Sequence, residues 1–251
     1  MVMKFVKNIN NLFVMELLFK FIDSLSSHQW LADEHLILQL VALLDEEKYD
    51  IETQESAVRT LEIICNICSY CPYSVLVSQI LETEEVTNKL LNYTLKESES
   101  KDFRMRQGLS IVIQVLNLLH KDTESYDNEP QEEEEKKEIP FFVQQFTDKL
   151  SEFVNVLKTP SKRLPIKNSS GTINSPFGNT RLKVLEFVVG LMATGFQSVF
   201  SKLQDLDVFK ICLEIFFEYK WNNFIHHQVY LMMSRILSGD PNLILLVFFF
   251  P

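Results

Sequence analysis

The chain has 251 residues, a formal net charge of −10, 12% aromatic residues, 6 glycines and 4 cysteines. A chain of this length forms one large domain or two small ones and buries about 70–75% of its unfolded surface, so a core needs neither disulfides nor metals. Scarce glycine beside plentiful Leu, Ile, Val and Phe argues against a turn-rich β-sandwich, the lack of a basic stripe argues against nucleic-acid binding, and no glycine-rich phosphate cradle occurs.

Met1 to Ile22 is broken by Asn8, Asn10, Asn11, Glu16 and Lys20, so it reads as an amphipathic helix with Phe13, Leu17 and Phe21 on one side, not as a signal peptide. After an expected Asp33 N-cap, Leu36, Ile37, Leu40, Val41 and Leu44 form a helical face. Ala57, Leu61, Ile64, Cys65 and Cys68 form the next, then Val86, Leu90, Leu91 and Leu95, then Leu109, Val112, Ile113, Leu116 and Leu119. These pairs recur at about 50 residues, near the HEAT and armadillo period, so residues 1–120 read as helical repeats. Lys121 to Glu138 holds nine acids against three lysines and supplies −6 of the net charge, which makes 121–140 an acidic solvated loop.

A helical part is expected over 141–238, beginning with a helix at Phe142 to Leu157. A linker at 158–176 carries Pro160, Pro165, Pro176 and Gly171, and its Thr159-Pro160 and Ser175-Pro176 pairs are weak phosphorylation signals. A helix follows from Thr180 to Met192. Phe209, Cys212, Leu213, Phe216 and Phe217 form a near-ideal stripe, succeeded by Ile225, Val229, Met232, Met233 and Ile236, with a stop at Gly239-Asp240-Pro241. The apolar run Leu243 to Phe250 in the 239–251 tail is 8 residues long, whereas a membrane span needs about 20. No strand is evident. The expected fold is all-α, an α-solenoid of HEAT/armadillo-like helical pairs. Neither end carries a polar cap, so the chain is expected to be incomplete or altered at its C-terminus.

Cys65, Cys68 and Cys71 have cluster-like spacing, but Val75 stands where an iron–sulfur pattern needs its fourth cysteine. Cys65 and Cys68 also fall on an apolar helix face, where cysteine packs as a small hydrophobe. His226 and His227 are adjacent and face apart, so they do not chelate. Neither H-E-x-x-H nor G-x-S-x-G occurs. The expectation is a non-enzyme without metal or cofactor, in a reducing cytoplasmic or nuclear setting, with no membrane segment.

Two corners stand out. In Pro176-Phe177-Gly178-Asn179-Thr180-Arg181, Gly178 permits an unusual backbone angle and Asn179 or Thr180 is a candidate cap. Arg181 sits at the positive end of a helix, where a cation is unfavourable without an acidic partner. An internal salt bridge is the simpler expectation, and an acid on another protein is the other. From Phe216 to Val229 the sequence is F-F-E-Y-K-W-N-N-F-I-H-H-Q-V. Trp221 and Phe224 either pack into the inter-helix core, with Asn222 or Asn223 capping the next helix, or form an interface hot spot with His226, His227 and Gln228. On residue types alone the packing reading leads.

Together these motifs resemble the SAPS family, the regulatory subunits of protein phosphatase 6. Trp30-Leu31 with Leu36-Ile37, Glu85-Val86 with Leu90-Leu91, and Leu150 to Pro160 are similar in character and order, so the resemblance runs from about residue 13 to residue 238. Phe177 and His227 depart from the family pattern. The resemblance implies a non-catalytic regulatory or scaffold subunit that binds the phosphatase 6 catalytic subunit and ankyrin-repeat partners and directs the enzyme to substrates. It implies docking near Gly178 to Arg181 and near Trp221, Asn222, Asn223, Phe224, His226, His227 and Gln228. The alternative is a helical-repeat adaptor for trafficking or transport that binds basic peptides through the acidic segment.

Overall fold

Apolar residues three and four apart wind into helices that bury one stripe each. A computed structural model describes residues 32–68, 75–98, 100–124, 138–159, 166–168, 171–173 and 175–238, with scattered positions between 11 and 20. The helices are α1 (Leu36–Ala42), α2 (Ile51–Cys68), α3 (Val75–Glu82), α4 (Glu84–Leu95), α5 (Lys101–Glu124), α6 (Phe141–Asp148), α7 (Leu150–Lys158), α8 (Asn179–Ala193), α9 (Gln197–Asp205), α10 (Val208–Glu218) and α11 (Asn223–Ser238). Among the described residues the fold is helical apart from one hairpin, β1 (Ile166–Asn168) and β2 (Gly171–Ile173), which pairs Ile166 with Ile173 in antiparallel register.

Several boundaries differ from the sequence expectation. Asp33 does not cap α1; His35 precedes it in the left-handed region at φ 54. The helix expected over 142–157 is two helices, because Lys149 turns out of helical geometry at φ −91, ψ 5. The 158–176 linker holds the hairpin, which the proline count concealed. Helices α3 and α9 were not anticipated, being only 8 and 9 residues long. The acidic segment does not start as a loop, since α5 extends to Glu124. Its remainder, Cys71, Phe21 and the 239–251 tail lie outside the described residues. Phe13 and Leu17 are helical and exposed.

The chain divides into two compact units, residues 1–146 and 147–251. In the first, α1 packs on α2, α2 on α5, α5 on α4 and α4 back on α1, while α3 touches all four. Leu36, Leu40, Leu61, Ile64, Leu90 and Leu109 lie in its core, each at 1% exposure or less. Asp50 Oδ1 caps α2 by accepting from the Thr53 N–H at 2.8 Å. Gly108 lets α5 approach α4, since a Cβ there would lie 2.9 Å from that of Thr94.

The second unit repeats the circuit. Helix α7 packs on α8, α8 on α11, α11 on α10 and α10 back on α7, while α9 touches α8 and α10. In both units, helices three apart in the chain lie side by side. Phe153 of α7 and Phe187 of α8, both fully buried, meet with ring centroids 4.9 Å apart. Removing such a ring from water stabilises the fold by about 1.5–3 kcal/mol.

Candidate functional site

Both sequence corners fall in the second unit, and one set of contacts joins them. Gly178 has φ 83 and ψ 154, a backbone that side-chain-bearing residues rarely adopt, and it starts α8. Neither Asn179 nor Thr180 caps this helix, contrary to expectation. They are its first two residues, and the N-cap position is Gly178, without a side-chain bond. Asn179 is exposed and Thr180 is buried.

Arg181 is 7% exposed, and among the described residues it does not make the expected internal salt bridge. Its Nε–H and Nη2–H donate to the Leu157 carbonyl at 3.0 and 2.5 Å, and its Nη1–H donates to the Tyr219 hydroxyl at 3.1 Å. Its guanidinium carbon lies 4.3 Å from the centroid of the Phe177 ring. None of these partners is an acid. The physical substitute is the last turn of α7, whose carbonyls lack intrahelical donors and carry the negative end of the dipole. The C-terminus of α7 thereby offsets the cost of a cation at the N-terminus of α8. Phe177, the departure from the family pattern, forms the aromatic bed under the guanidinium and meets Tyr219 edge-on at 5.0 Å.

Tyr219 also begins the second corner. Its carbonyl accepts from the Asn222 N–H at 3.0 Å, and Asn222 Oδ1 accepts from the Ile225 N–H at 3.2 Å, which caps α11 as anticipated. The His226 ring lies 4.4 Å from the Phe216 ring, and its Nε2–H donates to the Phe216 carbonyl at 3.3 Å. These bonds hold the turn, and Trp221 and Phe224 are not needed for it.

Trp221 is 89% exposed and Phe224 72%, so the packing reading of these two side chains is overturned. The reason is helical phase. Ile225, Val229, Met232 and Ile236 occupy the buried face of α11, and Phe224, about 100° round the helix from Ile225, falls outside it. Tyr230 and Leu237, seven residues apart and so on one stripe, are exposed as well, about 120° round the helix from Phe224. Phe217, expected in the α10 stripe, is also exposed and meets Phe216 edge-on at 5.3 Å. Asn223 and His227 are exposed, and Gln228 is half-buried. Large apolar side chains left exposed at one corner, among polar neighbours, have the character of an interaction surface.

Of the cysteines, Cys65, Cys68 and Cys212 are buried, as their apolar positions implied. Burial pushes the Cys212 thiol up to about 12 and the Cys65 thiol higher still, the latter helped by Cys68 and Glu62. Among the described residues no three His, Cys, Asp or Glu side chains gather to hold a metal, and no helix is long and apolar enough to cross a membrane. Sequence reasoning missed Tyr219 as the link between the corners, although it lies inside the quoted motif. The Leu157 carbonyl carries no side-chain signal.

Fold and site together define a helical protein whose distinctive surface is a corner of exposed aromatic side chains on a framework fixed by a buried arginine. The chain belongs to the SAPS family, the model of SIT4 phosphatase-associated protein matching residues 1–202 and 198–248. It is 26% identical over 253 residues to the serine/threonine-protein phosphatase 6 regulatory subunit 3 of Gallus gallus, covering 93% of this chain and 28% of that protein. It is 27% identical over 223 residues to regulatory subunit 2 of Homo sapiens, covering 83% of this chain and 22% of that protein. Over a shorter stretch of 92 residues, identity to regulatory subunit 3-A of Xenopus laevis reaches 35%, covering 37% of this chain and 11% of that protein. The chain thus spans less than a third of these relatives' length. No solved structure matches it.

Proposed function

We propose that this chain is a non-catalytic regulatory or scaffold component that binds the catalytic subunit of protein phosphatase 6 and directs it to substrates. The observation that carries the reading, beyond family membership, is the exposure of Trp221 and Phe224 at a turn that does not need them for folding. Exposed aromatics on a rigid support lose little conformational freedom on binding, and Trp and Tyr dominate interface energetics. The docking surface comprises Trp221, Asn223, Phe224, His227 and Gln228. Gly178, Asn222 and His226 hold its shape, and Asn179 lies at its margin with Thr180 and Arg181 beneath. Within each unit, side-by-side packing of helices three apart supports an armadillo-like α-solenoid. Ankyrin-repeat regulatory subunits are further partners in this reading. The cytoplasm, with the nucleus second, is where it works.

The test is capture of purified catalytic subunits of phosphatases 6, 4 and 2A by this chain and by Trp221→Ala, with helicity checked by circular dichroism. Selective capture of phosphatase 6, lost in Trp221→Ala, supports both function and site. A well-folded chain that captures none of the three sinks the reading. Capture that survives both Trp221→Ala and Phe224→Ala moves the docking site elsewhere.

A further inference from the structure

A groove of about 600 Å³ lies in the first unit, between the turn that enters α2 and the first turn of α5. A volume of that order is typical of sites that hold a ligand. Tyr49, Ile51 and Phe103 give it apolar walls, and Glu46, Asp50, Glu52 and Arg104 border it with charge. Tyr49 is 39% exposed and Ile51 59%, whereas Phe103 is half-buried. The N-terminus of α2 favours the acids at Asp50 and Glu52. It gives no reason for an exposed isoleucine between them, since isoleucine is an indifferent helix former.

Charge at this groove does not cancel. Arg104 pairs with Glu46. The flanking lysines are paired too, Lys48 with Asp45, Lys96 with Glu46 and Glu47, and Lys101 with Glu97. These cations are matched one for one by carboxylates. Along the same two helices, Glu55 and Asp102 are matched in number by Arg59 and Arg106. Among the described residues no cation pairs with Asp50 or Glu52. Asp50 accepts from the Thr53 N–H as a helix cap, which leaves its charge in place. The wall therefore keeps two negative charges beside three apolar side chains. No three His, Cys, Asp or Glu side chains gather among the described residues to hold a metal ion. A Lys or Arg side chain suits the groove better, because its methylene stem covers apolar surface while its charged head meets the carboxylates.

We propose that this groove docks a peptide segment of a partner protein in which a bulky apolar residue lies beside Lys or Arg. The apolar side chain seats against Tyr49, Ile51 and Phe103, and the cation meets Asp50 and Glu52. The second unit repeats part of this design. In the two circuits α2 corresponds to α8 and α5 to α11. Phe103, third in α5, and Phe224, second in α11, thus stand at corresponding helix starts. The groove belongs to the first unit and Trp221 to the second, so it is tested separately from phosphatase docking.

The experiment selects a random heptapeptide library, displayed on phage, against the full chain. Peptides that also bind the double variant Ile51→Ser, Glu52→Lys are subtracted first, which removes those directed at other surfaces. Both positions are exposed, so the variants should melt within about 5 °C of wild type. The surviving peptides are expected to carry a large apolar residue within two positions of Lys or Arg. Titrated by fluorescence anisotropy, they should bind Ile51→Ser about tenfold more weakly, from lost apolar contact. Glu52→Lys should weaken them about fivefold, the upper worth of an exposed ion pair. The proposal is overturned if no peptide survives the subtraction, if the survivors lack Lys and Arg, or if either single variant binds them as wild type does. It is also overturned, in favour of a second copy of this chain, if sedimentation shows a dimer that Ile51→Ser dissociates.

Discussion

Arg181 and Leu157 are 24 residues apart, and two N–H groups of the arginine converge on the leucine's carbonyl. This ties the start of α8 to the end of α7, and the third bond, to Tyr219, brings in the end of α10. Arg181 is therefore a structural pin beneath the candidate surface. Arg181→Met is expected to lower stability by about 3 kcal/mol, from lost charge-assisted bonds and lost contact with the Phe177 ring. Arg181→Lys recovers little, because an ammonium group lacks the planar fork. Urea denaturation measures both. A Met variant that unfolds at the wild-type midpoint would remove the pin from the account.

Trp221 behaves in the opposite way. Its 89% exposure means that truncation leaves no cavity, so Trp221→Ala shifts stability by about 0.5 kcal/mol at most. On the docking surface proposed above, its loss is expected to weaken capture of the phosphatase 6 catalytic subunit by about 2 kcal/mol, roughly thirtyfold. Melting temperature and affinity measured on one preparation separate the two effects. A variant that melts early would contradict the exposed placement.

The sequence made the helices legible because Leu36, Ile37, Leu40 and Val41, or Ile225, Val229 and Met232, repeat with the helical period. Their burial follows from that spacing. The short helices α3 and α9 escaped because two turns provide too few periodic positions. The hairpin escaped because a three-residue strand has almost no alternation to read. Trp221 was misplaced for a different reason: packed and exposed tryptophans share one residue type, and only the course of the turn before α11 separates them. Arg181 was located correctly but paired wrongly, since its acceptor is a backbone carbonyl. Arg104 and Glu46 went unread because their ion pair joins the start of α5 to the turn after α1.

That ion pair sets a pH dependence. Hydrogen bonds from Lys96 and then Arg104 hold the Glu46 carboxyl below the ordinary glutamate value of 4.5. A carboxyl whose folded pKa is depressed contributes its stability in full above the unfolded value and loses it as pH falls through the folded one. The Glu46 contribution is therefore complete at pH 7 and fades below pH 4.5. Glu46→Gln should lower neutral-pH stability by about 2 kcal/mol, less than a fully buried pair because the Glu46 side chain is 26% exposed. The difference between wild type and variant should shrink from pH 5 to pH 3. A difference constant across that range would show that the pair does not carry it.

Gly108 tests the packing of α4 against α5. A Cβ there would run into the Thr94 hydroxyl and lie 2.9 Å from the Thr94 Cβ and 3.2 Å from its Cγ2. Thr94 cannot easily yield, being fully buried with its hydroxyl donating to the Leu90 carbonyl at 2.7 Å. Alanine favours a helix over glycine by about 1 kcal/mol, whereas overpacking a tight core costs about 1–3 kcal/mol. Because the obstacle here is a fixed side chain against a backbone Cβ, overpacking wins, and Gly108→Ala should be destabilising by about 1–2 kcal/mol. Thr94→Ala removes the nearest atom, the hydroxyl, and the Cγ2 methyl while keeping the Cβ, so the double variant should be more stable than the sum of the single effects predicts. Thermal unfolding of the four proteins measures that coupling. Strict additivity would mean that α4 and α5 separate to admit the methyl group, and that their close approach is softer than the Thr94 burial implies.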